Sequence, residues 1–183
     1  MRSMKGHLLI ASPGIDDSFF SRTVILMLDH SSEGAAGVVI NRPTEATVAD
    51  IAESVFIEPF GWLKPLNLGG PVSGPLMVLH EIESLSDQVV FPGFFNTVET
   101  AKVRRLVFSR TEPSMIVANY AGWGPGQLEA EFDLNSWLTL PATRDHVFHE
   151  NDQLWDVVVS AASARKVSEF LGIRRVPENP SWN

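Results

Sequence analysis

Short apolar runs cut off by turn residues dominate the first forty positions of the chain. His7 to Ala11, Thr23 to Leu28 and Ala36 to Ile40 each read as strands. Between the first two, Asp16-Asp17-Ser18 ahead of Phe19-Phe20 predicts a single helical turn packed on the sheet, because short acidic and hydroxyl side chains cap helix starts. Asp29 to Gly34 reads as a hairpin connection. Thr47 to Val55 places alanine, valine and isoleucine at helical spacing, with Asp50 three residues after a Thr47 cap, and predicts the first full helix.

Pro59 to Pro75 holds eight prolines and glycines, a density that argues against a regular element. Phe60, Trp62, Leu63, Leu66 and Leu68 sit inside it, so the stretch reads as a loop packed on the domain rather than a polar linker. Pro75 to His80 and Gln88 to Phe91 follow as strands, candidates for pairing with each other. Val98, Ala101, Leu106 and Val107 mark a helix ended by Glu112-Pro113, since proline restricts its predecessor. Met115 to Ala118 reads as a buried strand, Gln127 to Phe132 as a short helix, Trp137 to Leu140 as a strand and Val147-Phe148 as a candidate last strand. Asn151 or Asp152 would cap a final helix with Leu154, Trp155, Val158, Val159 and Ala162 on its apolar side.

Strands and helices interleave irregularly, which favours a mixed α+β fold over repeated βαβ units. A length of 183 residues with 44% hydrophobic content fits one domain, 1–183, with the tail after Gly172 expected to lie loosely on the surface. The formal charge of −8 repels polyphosphates and anionic headgroups, so direct nucleic-acid and membrane-surface partners are disfavoured. The absence of cysteine excludes disulfides, thiolate metal sites and a cysteine nucleophile. Ser12, Pro13, Asp16 and Asp17 interrupt the first apolar run too early for a signal core, and the longest aliphatic run, Val24 to Leu28, falls far short of the roughly 20 residues that span a bilayer. A soluble, cytoplasmic protein is the expectation.

The chemistry-bearing strings are mostly near misses. Gly70-Pro71-Val72-Ser73-Gly74 has its serine one place late for a nucleophile elbow, and His80-Glu81-Ile82-Glu83-Ser84 lacks the second imidazole of a zinc-protease helix. His146 and His149 would share a face only on a helix, and their context reads as strand; no metal is expected there. Gly122-Trp123-Gly124-Pro125-Gly126 imitates a phosphate loop but has no lysine and neither nucleotide-binding spacing, so a specified structural turn is the stronger reading. The small basic groups Lys102/Arg104/Arg105, Arg165/Lys166 and Arg174/Arg175 have acidic neighbours and read as solvated surface. What remains is a set of polar groups at strand ends, His30, Asn41, Arg42, His80, Asn119 and Gln127, which would line a pocket if a curled sheet made them converge, with Arg42 as an anion-binding fork. Gly69-Gly70 and Gly122-Trp123 are the turns expected to flank it.

Several strings, in order from residue 6 to the last helix, resemble the YqgE/AlgH family of bacterial proteins. They are Gly6-His7-Leu8-Leu9-Ile10-Ala11-Ser12-Pro13, Phe20 with Arg22-Thr23-Val24, His30 with Gly34-Ala35-Ala36-Gly37, Asn41-Arg42-Pro43 and Gly69-Gly70-Pro71-Val72. Leu79-His80, Tyr120-Ala121-Gly122-Trp123 with Gly126-Gln127-Leu128-Glu129, Trp137-Leu138 and Leu154-Trp155 continue the series. The resemblance implies an α+β fold whose mixed, strongly bent sheet rolls into a barrel-like shape with helices outside. It also brings the label of a transcriptional regulator, with no catalytic or DNA-binding residues to carry over.

The leading reading is therefore a non-enzymatic regulatory or binding protein, acting through a protein partner or a small ligand and using no cofactor. The alternative is an enzyme with an imidazole base among His30, His80, Asn41 and Arg42. A regulator that binds DNA directly is the third, and the acidic balance opposes it.

Overall fold

The computed structural model describes residues 3–15, 17, 19–57, 60–149 and 153–171. The predicted opening strands form as β1 (His7–Ala11), β2 (Val24–Ser31) and β3 (Gly34–Val39), with β2 and β3 joined as a hairpin. They are completed by β10 (Ala121–Trp123) and β11 (Trp137–Pro141) into a five-stranded sheet of order β10-β3-β2-β1-β11, in which every pair is antiparallel. β4 (Pro43–Thr47), β5 (Pro65–Leu68), β6 (Met77–His80), β7 (Gln88–Phe91), β8 (Phe94–Thr97) and β9 (Ser114–Ala118) build a six-stranded sheet of order β4-β5-β9-β6-β8-β7. This second sheet is mixed, because β5 runs parallel to β9. The helices are α1 (Val48–Phe56), α2 (Thr100–Phe108), α3 (Gln127–Asp133), α4 (Arg144–Val147) and α5 (Leu154–Phe170).

The two sheets face each other across the largest apolar cluster. Leu8, Ile10, Leu26 and Val38 meet Met77, Leu79, Phe94 and Val117, and α5 adds Leu154, Trp155, Val158 and Ala162. The alternate residues Leu9, Ala11, Ile25 and Met27 pack on the other face of the five-stranded sheet with Trp123, Leu128 and Trp137. Both faces of β1 and β2 are thus covered, which is why these strands read as unbroken apolar runs. α1 and α2 cover the outer face of the six-stranded sheet through Val48, Val103, Leu106 and Val107.

Neither sheet closes on itself, so the barrel-like expectation is corrected to two facing open sheets. Closure requires tilted strands in a continuous staggered ladder, whereas the five-stranded sheet ends on a three-residue edge at β10 and on β11, whose flank is taken by α5.

Other expectations are corrected locally. The proline- and glycine-rich stretch contains a strand after all: Pro65 opens β5, the position where a missing N–H is tolerated, and Leu66 is buried under the helices. Phe60 and Trp62 do pack on that cluster, while Leu63 projects into solvent. β6 and β7 are not partners; β8 lies between them, brought back by Gly93 at φ +77°. β4 was not foreseen in the apolar pattern. Val147 ends a helix, not a strand, because Thr143 caps it reciprocally: Thr143 Oγ1 accepts from His146 N at 3.3 Å and His146 Nδ1 accepts from Thr143 N at 3.2 Å. α2 stops at Phe108, before Glu112-Pro113, with Arg110 at φ +48°.

Among the described residues, Asp17 and 19–22 form a turn, not a helix, in which Asp17 Oδ1 accepts from Phe19 N and Phe20 N, both at 2.7 Å. The glycine-rich string is half strand: Gly122-Trp123 belongs to β10, and the turn is confined to Gly124–Gly126 before α3. At the first full helix the Thr47/Asp50 reading holds, with Asp50 Oδ2 accepting from Thr47 N at 2.7 Å. The predicted caps Asn151 and Asp152, the tail after residue 171 and the Arg174/Arg175 group lie outside the described residues. Among the described residues no helix is long and apolar enough to cross a membrane.

Candidate functional site

The sequence candidates fall into separate groups. His30 is buried, and the register shift at Leu28 turns it toward α3: its Nδ1 accepts from Met4 N at 3.0 Å and its Nε2 meets Glu129 Oε1 at 2.9 Å. His80 is fully buried on the other sheet. Its Nδ1 accepts from Ile82 N at 3.0 Å, so its Nε2–H donates to Thr97 Oγ1 at 2.8 Å, and that hydroxyl donates onward to Leu85 O at 2.6 Å. Burial holds the His80 pKa below its ordinary value, opposed by the charge of Asp87. The two imidazoles share no partner, and both ring nitrogens of each are occupied.

Asn41 and Arg42 do come together, around the turn that precedes β2. Asn41 Oδ1 accepts from Val24 N and its amide donates to Arg22 O, both at 2.9 Å. The Arg42 guanidinium donates to Ser21 O at 3.2 Å and lies over the Phe19 ring at 4.8 Å; burial lowers its pKa, with Asp17 acting against the shift. Trp123 and Gln127 converge on Glu131, whose Oε2 takes the Trp123 and Trp137 indole N–H groups at 2.8 and 2.7 Å and whose Oε1 takes Gln127 Nε2 at 3.0 Å.

Gly69 and Gly70 are where two backbones touch. A Cβ on Gly70 would lie 2.0 Å from the Tyr120 carbonyl, and one on Gly69 would lie 2.5 Å from Asn119 O. Asn119, at φ +66°, accepts from Gly74 N at 3.4 Å.

A cavity of about 410 Å³ opens where the chain leaving β3, the edge strand β4 and its neighbour β5 meet the start of β9, α4 and the start of α5. Of the sequence candidates, Asn41 reaches its wall. One side is apolar, with Ile40, Val147, Phe148 and Leu154; Pro43, Pro65 and Pro113 add rigid ring faces. The polar side carries Lys64 and Glu112, joined by Nζ–Oε contacts of 2.6 and 2.8 Å, and Glu112 also accepts from Ser114 N at 3.1 Å. The Ser114 hydroxyl donates to Thr111 O at 2.6 Å. Asn67 stands apart: the residue is 8% exposed, its side chain lines the cavity, and the amide has no hydrogen-bond partner among the described residues. Its amide atoms are open to the cavity rather than sealed in the interior, so they are available to a group that enters it.

Sequence reasoning missed Lys64, Asn67, Glu112 and Ser114. The available signal was Asn67 itself, a polar residue held between Leu66 and Leu68. A second cavity of about 390 Å³ lies between β11 and α5, with Arg165, Lys166 and Glu169 at its rim.

An AlgH-like family model matches residues 8–166. The chain is 35% identical over 188 residues to a UPF0301 protein of Chlorobium limicola, covering 97% of this chain and 95% of that one. A UPF0301 protein of Myxococcus xanthus is 36% identical over 164 residues, covering 87% and 91%. The solution structure of the AlgH protein from Pseudomonas aeruginosa superposes with a TM-score of 0.74 at 30% identity, over 97% of this chain and 96% of that one. A crystal structure of protein DIP2367 from Corynebacterium diphtheriae shares the fold, with a TM-score of 0.70 at 20% identity over 88% and 87% of the two chains. On sequence, family model and fold alike, the chain belongs to the YqgE/AlgH family.

Proposed function

We propose that this chain is a non-enzymatic regulatory protein whose primary act is to bind a small molecule in the cleft bounded by β4, β5, the start of β9, α4 and the start of α5. The observation that carries the reading is the unpartnered Asn67 amide on the wall of a cavity of about 410 Å³, which falls within the roughly 300–1,000 Å³ of small-molecule sites. Apolar faces with a few fixed polar groups are what a binding site needs. Three candidate groups for turnover are otherwise engaged: the Ser114 hydroxyl is committed to a carbonyl, and His30 and His80 are buried away from the cavity with both nitrogens bonded. Direct DNA contact is disfavoured by the formal charge of −8. A regulatory effect would then pass to a protein partner through ligand occupancy.

The test is an NMR screen of the full chain, labelled with ¹⁵N, against a neutral fragment and metabolite library. Saturable shifts confined to residues 64–67, 112–115 and 147–149 are expected. Saturable binding that maps elsewhere, or turnover of any library member, removes the reading.

A further inference from the structure

Resting on the cleft as a binding site, we infer that its ligand is a neutral, flat heterocycle that presents a hydrogen-bond donor beside an acceptor along one edge, and that the Asn67 carboxamide reads that edge. A primary carboxamide offers a carbonyl acceptor and an N–H donor side by side in one plane, so its complement is a ring with adjacent N–H and C=O groups, as in a lactam, an imide or a pyrimidine. Asn67 is held in β5 by its ladder positions opposite Pro43 and Val117, so the amide is presented from a fixed backbone.

Shape and charge narrow the class further. The Phe148 ring gives the cleft a flat face suited to a planar body, and Pro43, Pro65 and Pro113 add stiff apolar surface. Among the described residues Lys64 is the one lysine or arginine on the wall, and it is already paired with Glu112 at 2.6 Å. In a chain of formal charge −8, a phosphorylated ligand would meet no unpaired lysine or arginine among the described residues of the wall. The edge must therefore belong to an uncharged base, nucleoside or lactam rather than to a nucleotide.

The experiment titrates the labelled full chain with uridine and 2-pyridone, which carry the edge, and with 3-methyluridine and 1-methyl-2-pyridone, in which a methyl group replaces the donor hydrogen. The same ligands are titrated into Asn67→Leu. The two parent compounds should bind in the cleft. Methylation, and separately the Asn67→Leu change, should each weaken binding roughly 5- to 150-fold, the loss expected for one bidentate pair. Methylation is read on the unchanged protein, so the result stands even if Asn67→Leu disturbs the fold. Cleft binding of other neutral fragments without response to the edge-bearing compounds, or equal binding of parent and methylated forms, overturns the ligand class while leaving the cleft reading in place. Failure of every neutral fragment to shift cleft resonances at millimolar concentration overturns both.

Discussion

The indole N–H of Trp123 donates to Glu131 Oε2 at 2.8 Å, and the same oxygen receives the Trp137 indole at 2.7 Å. Trp123 closes the edge strand β10 and Trp137 opens the opposite edge β11, while Glu131 comes from the helix between them. One carboxylate thus ties together α3 and both ends of the five-stranded sheet. The two rings also meet edge to face, with centroids 6.2 Å apart. The closely specified glycine-tryptophan string is explained by this clamp: the tryptophan is the anchor, and the glycines let the chain turn back so that the helix can supply the acceptor.

Replacing Glu131 with leucine leaves two indole donors facing an apolar side chain, and should cost about 2–4 kcal/mol in urea unfolding. Glu131→Gln keeps an amide oxygen for the indoles and should lose less. Equal stability of Glu131→Leu and the parent protein would contradict the clamp.

How far the chain announced its structure depends on what decided each element. β1, β2, β3 and α5 were legible because burial itself dictates their pattern: long apolar runs where both faces are covered, and a helical stripe where one is. β4, β5 and β8 were not, since they are short, include Pro43, Pro65 or Asn96, and owe their extension to the neighbours they pair with. The count of two sheets rather than one rolled sheet depends on edges that no local pattern records. The cleft was hidden for a related reason. Asn41 was visible as a polar residue at a strand end, but Lys64, Asn67 and Glu112 come from segments 48 residues apart at the ion pair, brought side by side by the parallel pairing of β5 with β9.

Gly70 offers a sharp steric prediction. A methyl group there would sit 2.0 Å from the Tyr120 backbone carbon and oxygen, so the two backbones must separate to admit it. Gly70→Ala should cost about 3 kcal/mol or more, given that overpacking against side chains alone costs about 1–3. Gly61→Ala, where nothing lies within 4 Å, is the matched control and should fall within about 1 kcal/mol of the parent. Chemical denaturation of both variants reads the difference.

Asn41 lines the cleft, yet its amide is already spent on the backbone of Val24 and Arg22. Asn41→Ala strands a buried strand N–H and should lower stability by about 1–3 kcal/mol. If the folded variant is then titrated with a cleft ligand, affinity should change by less than it does for Asn67→Leu. A binding loss larger at Asn41 than at Asn67, with stability unchanged, would reassign the recognising residue.

His80 predicts the direction of the pH dependence. Burial depresses its pKa, Asp87 opposing, and a proton added to Nδ1 would face the Ile82 N–H in a fully buried site. The unfolded imidazole titrates near about 6.5 and the folded one lower, so below that pH the unfolded chain binds the proton that the folded chain refuses. The contribution of His80 is therefore complete above about pH 6.5 and is lost as the pH falls through the window beneath it. Unfolding midpoints should decline between about pH 7.5 and 5.5, where carboxylates with ordinary values near 4 are still ionised. His80→Asn removes the titrating group and should flatten that slope, leaving a smaller one from His146, whose pKa is also lowered by burial, with Asp145 opposing and His149 reinforcing. An unchanged slope in a folded His80→Asn variant would mean that the buried imidazole is not what resists protonation.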